Sequence, residues 1–254
     1  MNIKLESLRV QRQFLKEIIK NEVQSKMLYN KYIKTLSGDV AKYLSDDKYR
    51  QQFQKIYGTT LYKDILGVTT KNMETSALLG AEVNMKLIEE AIDGKVATTI
   101  AKKAMDGIMT GELYKDNIGL EQRLLYNVAN DMKNLDTILF NELKKETSTA
   151  ELAKALLDNK IYFTKEEALR TARTSINQSF HLSTIESSKS NPAVGGVKWN
   201  LSGSHPREDI CDDIANDDAD GLGPGIYKPD NVPLSHPNCL CYLTPVLKED
   251  LDKL

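Results

Sequence analysis

The residue types with the most chemistry in them are gathered late in the chain. His236-Pro237-Asn238-Cys239-Leu240-Cys241 puts an imidazole and two thiols within six residues, and His205 and Cys211 stand upstream. Thiolate and imidazole are the donors that give zinc its tetrahedral shell. On a strand, Cys239 and Cys241 would point to one face and leave Leu240 on the other. Cys211 would then be the fourth ligand, with His205 in reserve. A shell closed by four protein ligands leaves no place for a substrate water, so the expected role of such a metal is structural. Two other readings of the same residues stay open: Cys239 and Cys241 as small core residues, or a bridge from Cys211 to one of them.

Other constellations carry less. Asn216-Asp217-Asp218-Ala219-Asp220-Gly221 copies the first half of a calcium loop, but position twelve, which needs a bidentate Glu, is Tyr227. Gly221-x-Gly223-x-Gly225 runs into Ile226-Tyr227-Lys228-Pro229, which cannot open the helix that phosphate binding requires. There is no G-x-S-x-G, H-E-x-x-H or P-loop pattern. A Cys–His nucleophile pair drawn from Cys211 with His236 or His205 has no spacing to select it, and His181 reads as a packed or surface residue. Arg9, Arg12, Lys16 and Lys20 recur at steps of three and four, a basic stripe suited to phosphates, to an acidic partner surface or simply to solvent.

The elements that must position these groups follow from hydrophobic spacing. Leu8, Leu15, Ile18, Ile19, Val23 and Met27 predict one apolar face on a helix from about Ile3 towards Leu36, ended by Gly38. Tyr49, Phe53, Ile56 and Tyr57 predict a second helix closed by Gly58. Ala77 to Ile92 predicts a third, closed by Asp93-Gly94. Val96, Ile100, Ala104 and Ile108 predict a fourth before a Gly107–Gly111 loop, and Leu120 to about Lys145 a fifth. Ser148-x-x-Glu151 and Thr164-x-x-Glu167 are capping boxes. The first opens a short helix to Leu157, and the second opens one to about Lys189. Short strands are expected at 197–201 and 239–246, with Trp199, Leu240, Tyr242 and Val246 over one sheet face.

Composition agrees with this division. The chain has 254 residues, 41% hydrophobic and 28% charged, enough to bury a core. All seven prolines fall at or after Pro192, so the long stretch before it can be almost wholly helical. The expected fold is mainly α, an extended helical N-terminal domain (1–147) followed by a small α+β domain (148–247) and a charged tail (248–254). Net charge is −2, too near neutral for wholesale nucleic-acid or membrane-surface binding, although residues 1–34 hold eight basic side chains against three acidic. No apolar run approaches the length of a membrane helix, and Met1–Ser7 has no signal-peptide core, so the chain is expected to be made and kept in the cytosol. A reducing compartment favours thiols or metal ligands over bridges.

From Leu169 to Val246 the chain resembles the C-terminal domain of the phage Mu F-like head morphogenesis proteins, the minor head or minor capsid proteins of tailed bacteriophages. The resemblance is carried by Ala172-Arg173-Thr174, by Trp199 to Ser202, and by His205-Pro206-Arg207-x-Asp209-Ile210-Cys211-Asp212. A Gly-Tyr turn before Pro229 and His236-Pro237-x-Cys239-x-Cys241 complete it. Members commonly have Glu after Ala-Arg-Thr, where this chain has Ser175. Many have a second Cys where this chain has Ile214, a ligand that His205 is then expected to replace. The resemblance implies a non-enzymatic assembly factor at the portal vertex, acting in head morphogenesis and DNA delivery. Its implied partners are the portal protein, capsid or scaffolding proteins and packaged DNA, with no membrane; its implied location is the virion, and the host cytoplasm during assembly. Arg9, Arg12, Lys16 and Lys20 are the expected portal or DNA contacts. Mu F-like regions also occur fused to toxin domains, so the alternative is a toxin-like or hydrolytic enzyme working through a Cys/His site.

Overall fold

The computed structural model describes residues 3–87, 94–158, 167–203 and 208–251. In chain order the elements are α1 (Ile3–Gly38), α2 (Val40–Ser45), α3 (Asp47–Leu87), α4 (Gly94–Thr110), α5 (Leu120–Leu143), α6 (Thr149–Leu157) and α7 (Glu167–Lys189). They continue with β1 (Val194–Asn200), α8 (Ile210–Asn216), β2 (Ile226–Tyr227), β3 (Tyr242–Leu247) and α9 (Lys248–Leu251). The fold is mainly α with a small α+β part, as expected. The three strands form one antiparallel sheet in the order β2-β1-β3. Among the described residues no helix is long and apolar enough to cross a membrane.

Local chemistry accounts for several boundaries. Ser148 caps α6 through a full capping box with Glu151, as the spacing predicts. Gly111, at φ +87°, ends α4; Gly107 lies within that helix. Thr164 and Ile88–Asp93, and with them the second capping box and the end of the third expected helix, lie outside the described residues.

Three expectations are corrected. Gly58 does not stop a helix: α3 continues through it for 41 residues. A Cβ at Gly58 would come within 2.9 Å of Met132 Sδ, so this glycine allows a close side-chain approach and punctuates nothing. The core face of α1 is not the one expected, since Leu8, Ile19, Val23 and Met27 are exposed, and Val10, Phe14, Ile18, Tyr29, Tyr32 and Leu36 are buried. Steps of four, four and three from Val10 pass through Asn21 and Ser25, both buried, and a count of apolar residues skips these two. Likewise α4 buries Ala97, Ala101, Ala104 and Ile108 and leaves Val96 exposed.

The chain packs as two compact units, one of residues 1–20, 70–119 and 173–254, the other of residues 21–69 and 120–172. In the second, Phe53 sits among Tyr32, Tyr43, Tyr49 and Tyr57, its ring centroid 4.4 to 6.1 Å from theirs. Leu120, Leu124, Val128, Leu135 and Leu139 supply the apolar stripe of α5. Two carboxylates on α5 accept tyrosine hydroxyls, Asp131 from Tyr29 and Asp136 from Tyr43, each at 2.5 Å.

In the first unit α7 is the central helix and is unusually polar for its burial. Ser175, Asn177, Gln178, Ser179, His181, Ser183 and Thr184 are all buried. Small side chains let α3 come close: Ser179 donates to the Met73 carbonyl at 3.2 Å and Thr184 to the Gly80 carbonyl at 3.3 Å. A Cβ on Gly80 would lie 2.3 Å from the Phe180 carbonyl oxygen. Apolar packing completes the helical side, with Phe14 and Phe180 rings 4.8 Å apart. On the other side Ile185, Val197, Trp199, Tyr227 and Leu243 form one buried cluster with all three cysteines.

Candidate metal centre

Cys211 is delivered by α8, a helix of seven residues that hydrophobic spacing does not reveal. Its start is a capping box: Asp209 accepts from the Cys211 N–H at 2.7 Å, and the Asp212 side chain accepts from the Asp209 N–H at 2.9 Å. Capping of this kind is worth roughly 1 kcal/mol, and it orients the first turn that carries the thiol. Asp209 and Asp212 of the motif therefore act as helix caps. The signal was present in the spacing Asp209-x-x-Asp212, a capping box built from acids.

The remaining donors come from the segment just before β3. Cys239 and Cys241 precede the strand, which begins at Tyr242, so the strand that was expected to align them is not what does so. Both are nonetheless buried with Leu240 only half-buried between them. The chain turns at Asn238, whose φ of +69° lies in the left-handed region that Asn tolerates better than most residues. That turn closes with the Cys239 N–H donating to the His236 carbonyl at 3.2 Å.

The result is a compact donor group. Cys211 Sγ and Cys239 Sγ are 3.6 Å apart, His236 Nε2 is 3.0 Å from Cys211 Sγ, and these three ligand atoms all lie within 4.8 Å of one another. Two sulfurs bound at about 2.3 Å to a tetrahedral zinc would stand about 3.8 Å apart. Cys241, the remaining expected ligand of this segment, is not one of these three; its N–H donates to Cys239 Sγ at 3.3 Å, and its thiol helps to raise the pKa of both other cysteines. His236 Nδ1 lies 2.8 Å from the Pro237 carbonyl. A carbonyl can only accept, so Nδ1 carries a proton and Nε2, 3.0 Å from Cys211 Sγ and 3.5 Å from Asp209 Oδ2, is the nitrogen that faces the other donors. A histidine that holds a metal through Nε2 needs this tautomer. Cys211, His236 and Cys239 thus form a group that could hold a metal ion.

Electrostatics favours a cation there. Hydrogen bonds with Cys239 and Cys241, then burial, push the Cys211 thiol up from its ordinary value. The Cys239 thiol is pushed up as well: its bond with Cys211 favours the thiolate, and the bond with Cys241, burial and the Cys241 charge outweigh that effect. Crowded thiols resist ionisation because the second negative charge has nothing to meet it, and a divalent ion removes that obstacle.

The other motif residues surround the group. Arg173 Nη1 donates to Asn238 Oδ1, and Thr174 Oγ1 accepts from the Asn238 N–H at 2.9 Å. Trp199 is buried beneath, edge-on to His181 with centroids 5.1 Å apart. His181 is packed: its Nε2 donates to the Cys241 carbonyl at 2.9 Å, and burial lowers its pKa to about 4, so it is neutral. His205 lies outside the described residues. Arg9, Arg12, Lys16 and Lys20 share the exposed face of α1, Lys20 pairing with Glu17 at 3.2 Å, and none of them belongs to the donor group. Asn177, Gln178 and Asn238 were missed by sequence reasoning; Pro237-Asn238 is a turn signal, and 174, 177, 178 and 181 share a helix face.

The acidic loop uses its carboxylates on itself. Asp218 accepts from the Gly223 N–H at 2.8 Å, and Asp220 accepts from the Lys228 N–H at 2.7 Å and Asn231 Nδ2 at 2.6 Å. The Lys228 N–H is the main reason that the Asp220 carboxyl is held below its usual range.

No family model, no curated protein and no solved structure matches the chain.

Proposed function

We propose that the protein is a bacteriophage minor head protein, a structural assembly factor of the portal vertex that acts in head morphogenesis and DNA delivery. One observation carries the reading. Residues of the resemblance that are far apart in the chain, Arg173, Thr174, Trp199, Asp209, Cys211, Asp212, His236, Cys239 and Cys241, each have a part in building one module. Motif residues that build one module together support the resemblance better than scattered identities would. Cysteines embedded among Trp199, Leu243 and Val197 suit a closed centre that holds a fold, and they are poorly arranged for turnover.

The metal we assign to the centre is zinc, with Cys211, His236 and Cys239 as ligands and Cys241 completing the shell. Its contribution would be to stiffness and folding. The partners in this reading are the portal protein, capsid or scaffolding proteins and packaged DNA, within the assembling and mature head.

The test is co-purification from cells assembling heads. Full-length tagged protein is expected to bring the portal protein with it and, under reducing conditions, to carry one equivalent of zinc. Full-length folded protein with no portal or head association overturns the assembly reading, and less than one equivalent of metal overturns the closed zinc centre.

A further inference from the structure

We infer that Arg173, Thr174, Asn177, Gln178 and His181 of α7, together with Asn238, are positioning residues for the metal centre, holding its ligand loop in the binding shape without touching the metal. The inference rests on the metal reading above. It starts from residues 235–241, which have no ladder or helix to hold them and yet supply His236, Cys239 and Cys241. A loop of that kind could place its donors in many ways, and ordering each residue costs about 1–2 kcal/mol.

What orders it is one face of α7. Gln178 Nε2 donates to the Ser235 carbonyl at 3.5 Å, immediately before His236. Arg173 and Thr174 take the side chain and the N–H of Asn238, immediately before Cys239. Asn177 Nδ2 and His181 Nε2 donate to the Cys241 carbonyl at 3.1 and 2.9 Å, which uses both lone pairs of that oxygen. Each ligand of the loop is therefore pinned at its own residue or its neighbour. The pins lie at 173–174, 177–178 and 181, three successive turns of one helix. Asn238 adds the reversal: its left-handed φ brings His236 and Cys239 back toward each other.

Partners that orient metal ligands typically tune affinity by about 10–100-fold when removed. The expected signature is thus weaker binding at unchanged stoichiometry. Full-length protein under reducing conditions is titrated with zinc against a chromogenic chelator, and the tetrahedral thiolate bands of bound cobalt report the geometry. Thr174→Val keeps the shape of the side chain and removes the acceptor; Thr174→Ser restores it. Asn238→Gly permits positive φ freely and removes only the Arg173 contact. Thr174→Val and Asn238→Gly are expected to bind one equivalent about 10–100-fold more weakly, with altered cobalt bands and unchanged helicity, and Thr174→Ser to bind as wild type.

Wild-type affinity in Thr174→Val and Asn238→Gly overturns the positioning role and leaves the metal reading standing. Equal losses in Thr174→Val and Thr174→Ser also overturn it, since packing alone would then be at work. A wild-type protein that binds no zinc overturns the metal reading itself. Should Thr174→Val fail to fold, Asn238→Gly, on an exposed turn, decides the question alone.

Discussion

Asp136 on α5 has both carboxylate oxygens in use, one accepting from Tyr43 and the other from Gln54 at 2.5 Å. Its pKa is nevertheless raised, because burial outweighs those bonds and the Arg50 charge. A carboxyl whose folded value exceeds its unfolded value of about 3.8 contributes stability at low pH, and that contribution is lost as pH rises through the folded value. Asp136→Asn does not titrate over that window; the Gln54 amide can turn its oxygen to the new amide, giving up its 3.0 Å bond to the Tyr43 hydroxyl, a cost that does not vary with pH. Thermal melts from pH 3.5 to 7 should show the variant gaining on wild type as pH rises; a variant that loses ground would mean the ionised carboxylate is favourable on balance. At this scale the metal donors were legible because thiol and imidazole declare themselves by type. Thr174, Asn177 and Asn238 did not, because an alcohol or an amide becomes a positioning group only through the neighbour it meets.

Helix α3 illustrates what periodicity can and cannot tell about an element. Glycine reads as a stop when nothing else is known, yet α3 passes through Gly58, Gly67 and Gly80. The difference lies in what a methyl group would meet. At Gly80 it would meet the Phe180 carbonyl and Thr184 Oγ1, backbone and helix face that cannot yield cheaply; at Gly67 it would meet nothing within 4 Å. Gly80→Ala should therefore destabilise by about 1–3 kcal/mol from overpacking, reduced by the roughly 1 kcal/mol by which Ala exceeds Gly as a helix former. Gly67→Ala should stabilise by up to about 1 kcal/mol. Chemical denaturation of the two variants checks the pair, and a stable Gly80→Ala would contradict the close approach of α3 to α7. The extents of α5 and α6 were legible from apolar spacing and a capping box. The buried face of α1 was not, since Asn21 and Ser25 stand in its seam where apolar residues would be sought.

For the whole molecule, charge is the property that acts at a distance. Arg9, Arg12, Lys16 and Lys20 lie on an exposed face of α1, so replacing all four with Gln should leave folding unchanged. In the proposed role the same change should weaken portal association and flatten its dependence on salt between about 50 and 200 mM, because exposed charges are screened over that range. Retained affinity with the original salt dependence would remove the stripe from the interface. Composition reads the chain in order, prolines late and helices early. Packing instead gathers stretches distant in sequence, as residues 1–20, 70–119 and 173–254 are gathered, and spacing along the chain holds no record of that.

The small sheet has a consequence for how copies of the chain meet one another. An exposed strand edge is a template for pairing with a neighbouring chain. Here β2 is two residues long, β3 contains Pro245, which has no N–H to offer a further strand, and the carbonyl that precedes β3 is already taken by two side chains of α7. Both borders are thus short or chemically blunted, so the sheet limits its own growth. Many copies could be held at high local concentration without joining edge to edge.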